Sequence, residues 1–266
     1  MREAGINTIR TYEPILDPKV LALVEKHEIY MIVPAFNFFD TSLRRVIEVV
    51  TALKDNQRVL IWEIGNEWNY NAFYSSPRVS DKTSRDMIRA AGNVIKTFDK
   101  KHPVATVYGE IPSKELLAEL SDIDIWGINV YSGISFGKRF EAWKALSTKP
   151  MYLGEFGADA YNALIKAPDV DSQALATSAL IKEINLNLSA NDPKNAAIGA
   201  SIFEWNDEWW KDEKGSADSQ EPGGIAPGGG PYPDATFNEE WWGLVDMDRN
   251  PRPAFLEVKA LWGSSK

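Results

Sequence analysis

The chain of 266 residues contains no cysteine. Disulfides, thiolate nucleophiles and Cys-ligated zinc or iron–sulfur sites are therefore excluded, while the compartment stays open. Histidine is almost as scarce, with only His27 and His102. Both stand in charged surroundings, "VEKHE" and "DKKHP", which read as exposed helix-end positions rather than metal ligands or members of a Ser-His-Asp triad. Neither a metal site nor a cofactor is expected. Basic charge is in the minority: 29 Lys and Arg against 38 Asp and Glu give a net charge of −9. With no basic cluster, nucleic acid and anionic membrane surfaces are poor partners and neutral ligands better ones. Long apolar runs are missing too, since none reaches the ~18 residues that span a bilayer. The opening "MREAGINTIRTY" lacks the basic-then-apolar pattern of a secretory signal, so the expected location, for a complete chain, is cytoplasmic.

What the chain does have is a run of short, β-branched apolar segments. These are "NTIRTY" (7–12), "IYMIVPAF" (29–36), "RVLIWEI" (58–64), "VATVY" (104–108), "DIWGINVY" (124–131), "PMYLGEF" (150–156) and "AIGASIFEW" (197–205). Continuous runs of this kind are what strands covered on both faces look like. Helical patterns separate them. Asp17-Pro18 and Asn250-Pro251 each pair an N-cap with proline at the first helical position, and Asp40, Ser80 and Asp171 are expected caps for others. Regular strand–helix alternation without a Gly-rich phosphate loop favours an α/β fold of the (β/α)8 barrel type.

Seven strands are found, not eight. The first strand and most of the first helix are expected to be lacking, which leaves either an incompletely closed barrel or an open edge covered by a second copy of the chain. One large domain over residues 1–266 suits the length and the 44% hydrophobic content. Residues 206–242 break the rhythm with Gly, Pro, acids and aromatics. A loop this long after the last strand is expected to hang over the C-terminal face, where barrel enzymes place their active sites.

Two glutamates end strands alike: Glu67 closes "WEIGNE" and Glu155 closes "YLGEFG". In a parallel barrel both strand ends point to one face, so the carboxylates can converge. A pair about 5–5.5 Å apart does retaining glycoside hydrolysis, and a pair about 6.5–9.5 Å apart does the inverting reaction.

"WEIGNEW" and "LGEFGAD" resemble the acid/base and nucleophile signatures of clan A glycoside hydrolases, whose barrels include the catalytic domains of β-glucuronidases and β-galactosidases and the β-1,3-glucanases. Arg10 in "TIRTY", Tyr131 in "INVY", Trp205 in "IFEW" and the closing "WWGLVDMDRNPRPAF" extend the resemblance over nearly the whole chain. It implies retaining hydrolysis of β-glycosidic bonds in a glucan or oligosaccharide, with Glu67 as acid/base and Glu155 as nucleophile. It further implies that Asn66 binds the sugar 2-hydroxyl, that Tyr131 holds the nucleophile and that Arg10 helps to keep it ionised. Trp68 and Trp205, with Trp209 or Trp210, would stack on sugar rings. Transglycosylation through the same glycosyl-enzyme, or a catalytically silent carbohydrate-binding barrel, remain alternatives.

Other acids read differently. Glu63, inside its strand, is expected to be structural, while Glu110 and Glu204 near strand ends are open between sugar contacts and loop contacts. Asp207, Glu208, Asp212 and Glu213 lack the spacing of a dedicated calcium loop and read as solvated surface.

Overall fold

The structure is a computed structural model that describes residues 1–37, 40–211, 214–222, 224–225 and 230–263. In chain order the strands are β1 (Thr8–Arg10), β2 (Tyr30–Phe36), β3 (Val59–Ile64), β4 (Val104–Tyr108), β5 (Ile125–Asn129), β6 (Met151–Phe156), β7 (Tyr161–Asn162), β8 (Ala167–Pro168), β9 (Ala197–Ile202), β10 (Gly224–Ile225) and β11 (Thr236–Phe237). Seven of them form one sheet in the order β1-β2-β3-β4-β5-β6-β9, and β7-β8 and β10-β11 are two-stranded ribbons. The pairings from β1 through β5 are parallel, with Thr8 opposite Tyr30, Met31 opposite Val59, Trp62 opposite Val104 and Ala105 opposite Ile125, and both ribbons are antiparallel. With helices between its strands, this is the (β/α)8 barrel class carrying seven strands, as the apolar runs implied. The described residues group into two compact units.

The first unit comprises residues 7–129 and 141–154. Its helices are α1 (Pro18–Lys26), α2 (Leu43–Leu53), the single turn α3 (Trp68–Asn71), α4 (Asp81–Phe98), α5 (Lys114–Glu119) and most of α6 (Arg139–Leu146). Asp17 and Ser80 cap α1 and α4 as expected. The cap of α2 is Ser42, not Asp40; the Asp40 carboxylate instead accepts from Ser42 N at 2.8 Å and so secures the cap residue. On α2, Val46, Val49, Val50 and Leu53 are buried, the i, i+3, i+4, i+7 stripe of a helix laid on a sheet. Ile32, Ile61, Ala105, Val107, Ile125 and Tyr152 interlock as the core of the strands.

His102 corrects the expectation of an exposed side chain. Its ring is 8% exposed and its Nδ1 lies 2.7 Å from Asp99 Oδ2. Burial would raise the Asp99 pKa, but bonds from His102, from the Trp62 indole at 2.8 Å and from two backbone N–H groups hold it down at about 2. His27 is exposed at the end of α1.

The second unit comprises residues 1–6, 130–140 and 155–266. It holds α7 (Val170–Asn187) and α8 (Pro253–Trp262), which bury Ala176, Leu180, Ile181 and Ile184, and Ala254, Phe255 and Val258. Asp169 rather than Asp171 caps α7, with its carboxylate on Ser172 N at 3.2 Å. The start of α8 also moves, from Asn250-Pro251 to Arg252-Pro253. "RNPRPAF" offers two proline starts, and the second wins because Arg252 is fixed by a buried pair with Asp207, while the Asn250 side chain stays in the preceding turn on Asp246. Among the described residues, no helix is long and apolar enough to cross a membrane.

Candidate active site

The site residues expected from the sequence fall in both units. In the first unit the chain turns sharply after β3. Gly65 has φ +69°, and a Cβ there would meet the Phe73 ring at 2.7 Å, so this position demands glycine. Glu67 follows with φ 46° and ψ 34°, a left-handed conformation rare for a residue with a side chain. Its N–H donates to Val107 O at 3.1 Å, and its carbonyl accepts from Tyr70 N and Asn71 N at 2.8 and 3.0 Å. A strained backbone held by its neighbours marks a place where side-chain direction matters more than backbone ease.

Behind Glu67 lies a buried polar network. Arg10 forks onto Glu63, with Nε on Oε2 at 2.7 Å and Nη2 on Oε1 at 2.8 Å. The Tyr152 hydroxyl donates to Glu63 Oε2 at 2.6 Å; burial, then the Glu63 charge, raise its pKa well above the phenol range, so it stays a donor. Glu63 is structural, as expected. Asn66 Oδ1 accepts from Arg10 Nη2 at 2.8 Å and from Asn129 Nδ2 at 3.0 Å. Two donors on the oxygen fix the amide orientation and present its NH₂ as a donor. Asn129 was missed in the sequence, where "INVY" reads as plain strand. The signal was Gly154: a Cβ there would fall 2.6 Å from Asn129 Oδ1, so the glycine before Glu155 makes room for this network.

Trp68 is a correction. It is 3% exposed, its indole N–H donates to Thr106 Oγ1 at 2.9 Å and its ring sits edge-on to Tyr108 at 5.1 Å. It packs the strand ends and presents no face for a sugar.

In the second unit Glu155 is 6% exposed, and Tyr131 donates its hydroxyl to Glu155 Oε2 at 2.8 Å. Val130 N reaches Glu155 O at 3.0 Å, which sets the tyrosine beside the carboxylate. The Tyr131 ring is walled edge-on by Trp242 at 5.0 Å, Phe237 at 5.4 Å and Phe203 at 6.3 Å. These three aromatics were not foreseen. Trp205 is expected from the sequence, and its ring lies edge-on to Phe255 of α8 at 6.1 Å. Trp209 and Trp210 stand edge-on to each other, with Trp210 exposed.

Phe203 N bonds Phe156 O at 2.9 Å, so Glu204 follows the end of β9 beside the end of β6. Burial pushes the Glu204 carboxyl up to about 9; Lys211 opposes this, and the Glu208, Asp207 and Glu155 charges add to it. Glu208 is raised too, chiefly by burial, and is hydrogen-bonded to Glu204. Lys211 binds Glu239 Oε2 at 3.0 Å and lies 4.3 Å from the Phe203 ring centre. Burial disfavours its charge, but Glu239, Glu204 and Glu208 outweigh that and raise its pKa.

Asp207 corrects the reading of the loop acids as solvated: it is fully buried and clasped by both Arg252 nitrogens at 2.6 and 2.5 Å. Asp212 and Glu213 lie outside the described residues. Among the described residues, no three His, Cys, Asp or Glu side chains are placed to hold a metal ion.

Asp159, last residue of "GEFGAD", ties the far end of the long loop to β6. Its Oδ1 accepts from Asn238 Nδ2 at 2.7 Å and from Tyr161 N at 3.0 Å, and Ala160 N bonds Trp241 O. Burial, against these hydrogen bonds, lifts its pKa from 3.8 to about 8. The folded state therefore keeps a proton that the unfolded chain releases near pH 4, so this group makes stability fall as pH rises from about 4 to 8. Asp159→Asn is expected to raise the melting temperature more at pH 8 than at pH 5; equal shifts at both pH values would contradict a protonated Asp159.

No family model matches the chain. In sequence, it is 24% identical to the β-glucuronidase of Rattus norvegicus over 231 residues, 78% of this chain and 34% of that protein. In structure, it matches the β-D-glucuronidase of Dictyoglomus thermophilum with a TM-score of 0.67 at 15% identity, covering all of this chain and 46% of that one. The GH2 β-galacturonidase of Eisenbergiella tayi gives a TM-score of 0.66 at 17% identity with the same coverages. The β-glucuronidase of Bacteroides uniformis gives 0.67 at 16% identity, covering all of this chain and 32% of that one. The chain has the barrel fold of these clan A glycosidases. It spans 34% to 46% of the length of these relatives apart from the Bacteroides protein, where the share is 32%. The recognition drawn from "WEIGNEW" and "LGEFGAD" thus agrees with both comparisons.

Proposed function

We propose that the chain carries the catalytic machinery of a retaining β-glycosidase, with Glu155 as nucleophile and Glu67 as acid/base. The observation that carries this reading is the pairing of Tyr131 with Glu155 at the end of β6. A hydroxyl donor on a carboxylate oxygen favours the charged form, which is the form that attacks. Supporting it in the other unit is Glu67, held in a strained turn beside an Asn66 whose side-chain oxygen already accepts from two donors, so that its NH₂ is the group to offer a sugar hydroxyl.

In the first step a Glu155 oxygen bonds to the anomeric carbon as the bond to the leaving oxygen breaks, and the proton of Glu67 passes to that oxygen. In the second, water attacks the same carbon and gives a proton to Glu67, and the ester bond to Glu155 breaks. Arg10 positions Asn66 and neutralises Glu63, and Tyr131 holds Glu155. The relatives are named for uronosides, whereas the reading adopted for this chain is the broader one, hydrolysis of β-linked glycosides.

The test is the anomer first released from an aryl β-glycoside, followed by proton NMR before mutarotation. The β-anomer is expected. Release of the α-anomer would mean inversion and overturn the double displacement; absence of turnover with longer oligosaccharides formed at high acceptor concentration would redirect the second step to transfer.

A further inference from the structure

An asparagine amide has two orientations half a turn apart that exchange a donor for an acceptor, and its neighbours decide between them. At Asn66 both donors meet the oxygen, Arg10 Nη2 at 2.8 Å and Asn129 Nδ2 at 3.0 Å, and among the described residues the Asn66 Nδ2 donates to no protein group. Each donor is itself held. Arg10 Nη2 also donates to Glu63 Oε1 at 2.8 Å, so the guanidinium that meets Asn66 takes its own position from Glu63. These two side chains are 5% and 3% exposed. Glu63 Oε2 receives a second donor besides Arg10 Nε, the Tyr152 hydroxyl at 2.6 Å. Two glycines make room for these contacts: a Cβ at Gly127 would lie 2.9 Å from the Tyr152 hydroxyl oxygen, and one at Gly154 would lie 2.6 Å from Asn129 Oδ1. All of these residues belong to the first unit.

We propose that Tyr152 and Asn129 are positioning residues for the sugar contact of Asn66, Tyr152 acting through Glu63 and Arg10 and Asn129 acting directly. This rests on the glycosidase reading above, with the Asn66 NH₂ meeting the sugar 2-hydroxyl. The Tyr152 hydroxyl fixes the rotation of the Glu63 carboxylate, the carboxylate fixes the guanidinium fork, and the fork aims one Nη2 proton at Asn66 Oδ1. Asn129 takes up the same oxygen from β5. With both donors in place the NH₂ is left for the sugar; with either missing, the amide is free to turn over and offer an oxygen where a donor is needed. A buried ion pair adds little net stability over apolar residues of like volume, so the Arg10–Glu63 pair is better accounted for by what it aims than by what it stabilises. Hydrogen bonds to the 2-hydroxyl strengthen in the oxocarbenium-like transition state, so a loosened Asn66 lowers kcat more than it raises KM.

The experiment measures kcat and KM for the 4-nitrophenyl β-D-glucoside, β-D-galactoside and β-D-glucuronide and, for the fastest of them, its 2-deoxy counterpart. Tyr152→Phe is expected to lower kcat on the 2-hydroxy substrate by about tenfold and on the 2-deoxy substrate by less than about twofold. Asn129→Ala is expected to give the same pattern by the other route, so the test stands even where one of the two variants does not fold. In an Asn66→Ala background neither change should move the ratio between the two substrates further. Equal losses on both substrates, or a shifted ratio that persists without Asn66, would mean that Tyr152 and Asn129 only hold the fold together; that would overturn the inference while leaving the glycosidase reading intact. No turnover of any of the three glycosides by the parent would overturn that reading, and this inference with it.

Discussion

Glu155→Gln is expected to lower kcat on an aryl β-glycoside by at least about a thousandfold, because an amide cannot form the glycosyl ester that divides the reaction into two easier displacements. The substitution keeps volume and keeps an acceptor for the Tyr131 hydroxyl, so the fold should survive and the loss should lie in chemistry. A melting curve like the parent's with kcat within about a hundredfold would exclude Glu155 as nucleophile. The companion change separates roles. Glu67→Gln removes the proton donor, which matters most when the leaving group is a poor one. Alkyl and sugar leaving groups are expected to suffer far more in the first step than a nitrophenolate, which departs without protonation. An equal loss for both classes would contradict general acid action by Glu67.

The largest effect on stability is expected at Arg252→Met. Asp207 is fully buried and receives both guanidinium nitrogens, Gly243 N at 2.8 Å and Gln220 Nε2 at 2.9 Å. Removing the arginine leaves a buried carboxylate with two neutral donors, which costs about 3–5 kcal/mol in comparable cases. In a chain of this size that corresponds to a melting temperature lower by about 6–20 °C. Asp207→Asn combined with Arg252→Met should recover part of the loss, since no unpaired charge remains. A drop of less than about 2 °C for the single variant would mean that the pair does not lock the loop to the start of α8.

The seven strands were legible because buried parallel strands write themselves as continuous β-branched runs, and the observed bounds fall within those runs. Helix starts were less so. At "FDTS" and "DVDS" several polar residues can each cap, and the choice among Asp40, Ser42, Asp169 and Asp171 is made by which carboxylate or hydroxyl meets the third backbone N–H. The two glutamates were visible from position and neighbours, whereas their settings were not. Nothing local announces that Glu67 takes a left-handed conformation, or that Asn129 sits against Gly154. The burial of Trp68 has no local signal, because the group that accepts its indole N–H, Thr106, lies on the next strand. Phe203 and Trp205 lie just past the end of β9, where strand alternation no longer sets the faces, and Phe203 comes to wall Tyr131 while Trp205 faces Phe255. Lys211 and Glu239 come from opposite ends of the long loop, a pairing that only the folded chain creates.

The central claim is that Glu155 becomes covalently bonded to sugar. Incubation with 2-deoxy-2-fluoro-β-D-glucosyl fluoride tests it most directly: the ring fluorine slows both displacements and the fluoride leaving group keeps the first one accessible, so the glycosyl-enzyme accumulates. Intact-mass spectrometry is expected to find one added fluorosugar, and peptide mapping to locate it on the peptide that bears Glu155. A fluorosugar mapped to Glu67, or a protein that hydrolyses β-glucosides yet gains no mass, would contradict the account.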